Sequence, residues 1–192
     1  GQLKQCHQEF YHIYNMQDVH GNVSPQRLIV EDSNSGYQFF ENICRALKIQ
    51  CASANGKSNI IGGLKKVAGN EETLVIADGA AFGSEIDKVL KYVKSRSNIK
   101  LYLPESFEWI ILSSGVAKNG DIPTILENPY DYIDSEKYFS WERYFTQLLV
   151  EITNETPLKY SKRKINPAYL QERVKERIMA VMEGIEFNGT LE

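Results

Sequence analysis

Three features that would place a chain in a well-defined class are scarce or absent here. The sequence has only three cysteines, an odd number without paired spacing, which argues against a disulfide framework and favours reduced thiols in a cytoplasmic protein. Its apolar runs all fall short of the roughly 18 residues of a membrane-spanning helix, so we expect no membrane-embedded segment. Positive charge is not in excess, because the formal net charge is −3. No global basic field therefore recruits nucleic acid, and any such binding must come from a local patch.

What remains is the composition of a soluble globular protein. Apolar residues make up 42% of the 192 residues and charged residues make up 24%, which are ordinary values for such chains. This length suffices for one good core, or for one domain with a helical extension.

Short β-type runs alternate with helical patterns through the middle of the chain. Buried parallel strands read as continuous runs of Val, Ile and Leu. Four segments are predicted strands, namely residues 27–32, 49–51, 73–77 and 99–103. This alternation predicts an α/β fold, a Rossmann-like parallel sheet of about four strands flanked by helices.

The pattern changes on either side of this unit. Residues 1–26 carry no clean period and form a predicted N-terminal extension, whereas residues 27–112 form the α/β domain. Residues 113–192 are predicted to be a loop, up to residue 129, followed by a helical extension. Within this extension, apolar residues at helical spacing predict one helix over 135–152 and a last helix opened by Asn166-Pro167.

Acidic residues stand at the ends of two predicted strands. The first strand runs into Glu31 and Asp32, and the third runs into Asp78. In open α/β sheets, ligands bind outside the carboxyl ends of the strands. We therefore expect Glu31 and Asp78 to face one crevice, where carboxylates would hold a divalent cation.

Two further acids, Glu105 and Glu108, follow the fourth strand. If Ser106 starts a helical turn, both lie near the crevice, and the four carboxylates repel one another unless a cation offsets their charge. The alternative interpretation is structural. In that case Asp32 or Asp78 caps a helix or turn, and Glu108 is solvated beside its neighbours.

A turn after the second strand is the first candidate for binding phosphate. Gly56-Lys57-Ser58 would end a phosphate-binding loop, but the glycine that this pattern needs five positions earlier is Cys51, so we reject a true NTPase loop. In a milder version, Ser58 caps the next helix, and free backbone amides bind a phosphate together with Lys57. An ordinary capped turn is the alternative.

A basic run near the C-terminus is the second candidate. Residues 159–164 read Lys-Tyr-Ser-Lys-Arg-Lys, so Lys162, Arg163 and Lys164 form a local positive patch beside an aromatic residue. Such a patch binds a DNA or RNA backbone. The alternative is a solvated surface without a partner.

These residues together resemble a Toprim-type domain over residues 27–112. The resemblance is carried by Glu31 after a strand, the turn at residues 55–60, Asp78-Gly79 after a strand, and the Leu-Pro-Glu-Ser-Phe-Glu segment at 103–108. The versions in overcoming-lysogenization-defect nucleases and related phage-defence or mobile-element proteins are the most similar. The resemblance implies that Glu31 and Asp78 are catalytic metal ligands that gather Mg²⁺ or Mn²⁺ for nucleic-acid cleavage or nucleotidyl transfer.

The chain departs from this pattern at two positions. The second aspartate of the family's Asp-x-Asp would fall at Ala80, and an acid often found four residues after the first Glu falls at Ser35. Two-metal chemistry needs enough oxygen ligands for both ions, so Glu105 or Glu108 would have to compensate. An active nuclease and a degenerate, binding-only domain are therefore both open.

A second resemblance leads to a different class of function. The Leu-Ile-Val-Glu-Asp run ending at Asp32 is similar to the opening of a response-regulator receiver domain, and Asp78 follows near the place of the phosphorylated aspartate. A receiver also needs a fifth strand ending in lysine after the fourth strand, and Lys118 falls in a predicted loop instead. We therefore rank a receiver-like or non-catalytic signalling module second.

Overall fold

The computed structural model describes residues 13–14, 22–79, 85–127 and 141–188. Its five strands are β1 (Ile13–Tyr14), β2 (Arg27–Val30), β3 (Gln50–Ser53), β4 (Thr73–Ile76) and β5 (Ile99–Tyr102). Its α-helices are α1 (Ser35–Ala46), α2 (Ile60–Leu64), α3 (Glu85–Lys94), α4 (Phe107–Ser113), α5 (Ile122–Glu127), α6 (Trp141–Thr153) and α7 (Glu172–Met179). Two short 3₁₀ helices cover Lys57–Asn59 and Pro167–Leu170.

One sheet organises the protein, with the strand order β1-β5-β4-β2-β3. The four strands β2 to β5 are parallel to one another, and β1 pairs antiparallel with β5 at the edge. The prediction of an α/β fold with a four-stranded parallel sheet is therefore confirmed. The edge strand β1 was not predicted, and it occupies the position beside β5 where a receiver domain would carry its fifth parallel strand.

Alternating side chains of the strands pack into two cores, one on each face of the sheet. Leu28 and Val30 of β2 point to the first face, where α1 and α4 pack, whereas Ile29 points to the second face, where α2 and α3 pack. Burial on both faces explains why β2 and β4 read as continuous apolar runs and not as alternating ones.

The placement of the helices creates a switch point between β2 and β4. The chain leaves β2 through α1 on the first face and leaves β4 through α3 on the second face. The two connections therefore diverge, and a crevice opens between them at the carboxyl ends of β2 and β4. Crevices of this kind are the usual ligand sites of open α/β sheets.

The C-terminal helices complete the first core and do not form a separate one. Their buried residues belong to the same apolar cluster as Leu28 and the aromatic residues of α1; they are Tyr144, Phe145, Leu149, Tyr160, Ile165, Tyr169, Ile178 and Met182. A short bridge between Val23 and Ile185 fixes the end of this region to the segment before β2. No helix in the described ranges combines the length and the hydrophobicity that a bilayer span requires.

Two sequence-based predictions for the C-terminal half are wrong. The predicted loop at residues 113–129 contains α5, because Ile122 and Ile125 are buried in the first core. The predicted last helix is interrupted at Gln171, whose backbone is extended (φ −65°, ψ 140°), so a 3₁₀ helix and α7 replace it. The predicted start of the helix over 135–152 lies outside the described residues, and its described part is α6.

Candidate functional site

Glu31 and Asp78 lie side by side at the switch point. Glu31 directly follows β2, Asp78 follows β4 by two residues, and these two strands are hydrogen-bonded neighbours. The Oε2 atom of Glu31 accepts a hydrogen bond from the backbone N–H of Asp78 at 3.1 Å. The prediction that these two acids share one edge of the sheet is therefore confirmed, and the Glu31 carboxylate joins the two strand ends.

Asp32 organises the start of α1 from the same edge. Its Oδ1 atom accepts the backbone N–H of Tyr37 at 3.0 Å and that of Asn34 at 3.3 Å. Tyr37 is in the first turn of α1, where N–H groups lack partners within the helix. The structural interpretation of Asp32 as a capping residue is confirmed, since Asn34, the residue directly before α1, makes no capping bond with its own side chain.

The three acids line a narrow cleft between α1, α4 and the ends of β2 and β4. Its wall includes Glu31, Asp32 and Asp78 together with Gly36 and Phe107. The cleft has a volume of about 10 Å³, close to what one water molecule or one metal ion needs. A Cβ atom on Gly36 would lie 3.3 Å from Oδ2 of Asp32 and 3.2 Å from Phe107, so the glycine permits this tight packing.

The turn that carries Lys57 and Ser58 is tied to the same acids through its backbone. The N–H of Gly56 donates to the carbonyl of Glu31 at 2.8 Å, and the hydroxyl of Ser53 donates to the carbonyl of Asp32 at 2.6 Å. Asn55 and Gly56 have positive φ angles of 54° and 116°, which confirms the predicted turn at this point.

Lys57 and Ser58 belong to the 3₁₀ helix that follows this turn. Neither this helix nor α2 has a side-chain cap, so the predicted capping role of Ser58 is wrong. Lys57 nevertheless lies one residue after the glycine that contacts Glu31.

The basic run forms a segment across the start of α1, and we call residues 161–165 the strap. The hydroxyl of Ser35 donates to the carbonyl of Ser161 at 2.5 Å, and the N–H of Ser35 donates to the carbonyl of Lys162 at 2.9 Å. Gln38 adds two further bonds, because its amide donates to the carbonyl of Arg163 at 2.8 Å and accepts the N–H of Ile165 at 2.9 Å. The strap is therefore fixed through its backbone.

The basic side chains of the strap differ in their exposure. Arg163 and Lys164 are exposed and Lys162 is half-buried. The strap backbone is bonded to Ser35, four residues after Glu31, and Lys57 follows the glycine whose N–H is bonded to Glu31. Both basic segments are therefore attached close to the acidic cleft.

Glu105 and Glu108 are brought to this end of the molecule, but both are buried, each at 2% exposure. Ser106 caps α4 by accepting the N–H of Trp109 at 3.1 Å, as predicted. Glu108 accepts a hydrogen bond from the Tyr160 hydroxyl at 2.9 Å, so the expectation that Glu108 is solvated is wrong.

Tyr160 is a site residue that the sequence did not reveal. It is buried at 3% exposure, although it sits in a basic run that reads as surface. Burial, followed by the negative charges of Glu108, Asp32 and Asp78, raises the pKa of the Tyr160 hydroxyl above its usual value. The hydrogen bond to Glu108 joins the residue before the strap to α4, whose Phe107 lines the cleft.

Within the described ranges, no three Asp, Glu, His or Cys side chains are grouped so that they could share one metal ion. The four carboxylates that we predicted as ligands thus do not form a preformed cage. Mg²⁺, however, keeps several waters and is usually held by one or two carboxylates plus substrate phosphates. The paired acids match this coordination, but a cleft of about 10 Å³ has room for the ion without its waters, so the remaining waters would lie outside it. Ala80, the position of the family's second aspartate, lies outside the described residues.

Comparisons with known proteins identify no family for this chain. No protein-family model matches it, and neither a curated protein nor a solved structure gives a significant match. The resemblance to Toprim domains therefore stays a prediction that depends on Glu31, Asp78 and the segments around them.

Proposed function

We propose that this protein binds nucleic acid with the help of a magnesium ion at the acidic cleft, as a Toprim-like domain whose capacity for strand cleavage is weak or lost. The observation that carries the proposal is the arrangement of charge at the switch point. Glu31, Asp32 and Asp78 line one cleft, and two basic segments are hydrogen-bonded to the residues around it. Alternating negative and positive groups suit a phosphate backbone that approaches together with a cation.

Each group has a distinct part in this proposal. Glu31 and Asp78 would hold the ion, and Mg²⁺ supplies positive charge that neutralises a phosphate and activates water. Lys57 on one side and the strap on the other would bind neighbouring phosphates by charge-assisted hydrogen bonds. If cleavage occurs, Glu31 is the residue placed to relay a proton.

The small number of ligands explains why we expect little catalysis. Two carboxylates leave most positions of a six-coordinate ion to water, and two-metal cleavage needs a second ion bound nearby. Glu108 is engaged with Tyr160 at 2.9 Å, so it compensates for a missing ligand only if that bond breaks. Binding of nucleic acid is therefore the activity that this arrangement supports best.

The test is a pair of binding measurements on the purified chain. Calorimetry with Mn²⁺ and fluorescence anisotropy with a labelled oligonucleotide, single-stranded and duplex, would be run on wild type, Asp78→Asn and the double variant Arg163→Ala/Lys164→Ala. The control is Lys91→Ala/Lys94→Ala, which removes two exposed lysines from α3. Removing two phosphate contacts should reduce the salt slope of single-strand binding by about 1.4, whereas the control should leave it unchanged.

The outcomes separate the proposal from its alternatives. We expect Mn²⁺ binding to be weak alone, to tighten when the oligonucleotide is present, and to disappear in Asp78→Asn. If the oligonucleotide binds wild type, Arg163→Ala/Lys164→Ala and the control variant equally, or does not bind at all, the nucleic-acid proposal is wrong.

A further inference from the structure

The link between the strap and the acidic cleft runs through one side chain. Tyr160 immediately precedes the strap, and its ring is buried at 3% exposure in the first core. Its hydroxyl donates to Glu108 at 2.9 Å, and its backbone N–H is held by the hydroxyl of Thr153 at 2.9 Å. The residue is thus fixed from both ends before the chain reaches the strap.

The strap itself is held along its length by the first turn of α1. The groups that hold it, Ser35 and Gln38, belong to the first turn of α1 and contact backbone atoms of residues 161–165. Ile165, the last residue of the strap, is buried in the first core. Tyr160 joins the start of the strap to α4, because its hydroxyl donates to Glu108, the neighbour of Phe107 in the wall of the cleft.

We infer that Tyr160 is a positioning residue that couples cation binding in the cleft to phosphate binding on the strap. This inference rests on the proposed function and deepens it. A phosphate held between a cleft-bound cation and the strap contacts both, so the distance between the two elements sets how much each ligand favours the other. If the Tyr160–Glu108 bond is absent, the start of the strap loses its hydrogen bond to α4, and this distance is less firmly fixed.

The same geometry indicates which class of ligand would show the coupling between cation binding and phosphate binding. A cation alone contacts only the carboxylates, and a phosphate alone contacts only Lys162 and its neighbours. A phosphodiester with its bound cation contacts both. Thermodynamic reciprocity then requires that Mn²⁺ tighten oligonucleotide binding by the same factor as the oligonucleotide tightens Mn²⁺ binding.

The chain provides a matched control for this residue. Tyr169 is also buried, lies 6.0 Å from the Tyr160 ring in an edge-to-face contact, and donates its hydroxyl to the carbonyl of Leu158 at 2.6 Å. Tyr160→Phe and Tyr169→Phe each remove one hydroxyl from the same core, but only the first releases Glu108. Glu108→Gln is the conservative variant, because its amide oxygen still accepts the Tyr160 hydroxyl.

The experiment measures the affinity of a labelled oligonucleotide with and without Mn²⁺ in the full chain, for wild type and these three variants. We expect the factor by which Mn²⁺ increases oligonucleotide affinity to be about tenfold smaller in Tyr160→Phe, because the loss of one hydrogen bond to a charged group changes an equilibrium constant by about that much. Tyr169→Phe should keep the wild-type factor. Glu108→Gln should retain most of it. Hydrogen exchange of the Ser35 amide, which donates to Lys162, should accelerate in Tyr160→Phe alone.

The results test the proposed function and the positioning role of Tyr160 separately. If wild type binds no oligonucleotide, the proposed function fails and the coupling fails with it. If wild type shows the enhancement but Tyr160→Phe and Tyr169→Phe keep it equally, the positioning role is wrong while the proposed function stands. The same conclusion follows if the Ser35 amide stays protected in Tyr160→Phe, because the strap then holds its place without the Glu108 contact.

Discussion

Replacing Asp32 by alanine and by asparagine separates its two roles, capping of α1 and contribution of charge to the cleft. The Asp32 carboxylate accepts the N–H groups of Tyr37 at 3.0 Å and Asn34 at 3.3 Å. Alanine removes the acceptor, whereas the side-chain oxygen of asparagine can still accept both bonds. The asparagine variant therefore loses the charge and keeps the cap.

The structure sets the expected magnitudes. Loss of a capping acceptor costs about 0.5–2 kcal/mol, and loss of a negative charge at a helix N-terminus costs a further ~0.3–1 kcal/mol. Asp32→Ala should therefore lower the free energy of unfolding by about 1–3 kcal/mol, and Asp32→Asn by less than about 1 kcal/mol. For a chain of 192 residues, each kcal/mol lowers the midpoint of thermal unfolding by about 2–4 °C.

Urea unfolding followed by circular dichroism measures these differences, and calorimetry with Mn²⁺ on the same samples measures the role of the charge. We expect both variants to weaken cation binding, because neither carries the negative charge. Equal destabilisation by alanine and asparagine would refute the capping argument. Unchanged Mn²⁺ affinity in Asp32→Asn would show that this carboxylate contributes only to the helix.

Two further predictions concern stability. Burial and the charge of Glu183 raise the pKa of Tyr102 to about 12, while an unfolded tyrosine ionises near pH 10. Unfolding between these pH values therefore releases a proton from Tyr102. The contribution of the protonated Tyr102 to the free energy of unfolding is complete below pH ~10 and is lost as the pH rises. Tyr102→Phe should make the loss of stability above pH ~10 less steep in urea titrations, and an unchanged slope would contradict the assignment. Gly56→Ala should cost about 1–3 kcal/mol, because φ is 116° at that position. Its control, Gly62→Ala in α2, has open space around the added methyl group and should stabilise the helix by up to ~1 kcal/mol; equal effects in urea unfolding would refute the backbone argument.

The central strands β2 and β4 could be predicted from sequence because they are buried on both faces. Leu28, Ile29 and Val30 are all buried, so no polar residue interrupts the apolar run, and the run predicts a buried parallel strand. The strand β1 lacked this signal, since it has only two residues and pairs at the edge. The break at Gln171 was also hidden, because the apolar spacing continues across it and nothing in the local sequence disfavours a helix.

For a related reason, the sequence predicted the paired acids of the site but not its tyrosine. Glu31 and Asp78 stand at the ends of recognisable strands, and topology alone brings parallel strand ends together. Tyr160 gave no such signal, because its neighbours are Lys, Ser and Arg and its contact with Glu108 spans 52 residues of sequence. Only the packed structure shows that a basic run contains a core residue.

The residues that line the acidic cleft all lie within residues 27–112, but the buried Glu108 of α4 also depends on the C-terminal region. Carboxylates gathered at one edge of a sheet repel one another, and burial makes an unpaired charge costly. Asp78 supplies an N–H to Glu31, α1 supplies N–H groups to Asp32, and Tyr160 supplies a hydroxyl to Glu108. The last of these donors comes from the C-terminal region, whose buried side chains also cover the aromatic residues of α1. A chain cut after α4 would lack the hydroxyl that Tyr160 donates to Glu108 and would open the first core to water, so the C-terminal region is part of the structure that keeps Glu108 buried and hydrogen-bonded.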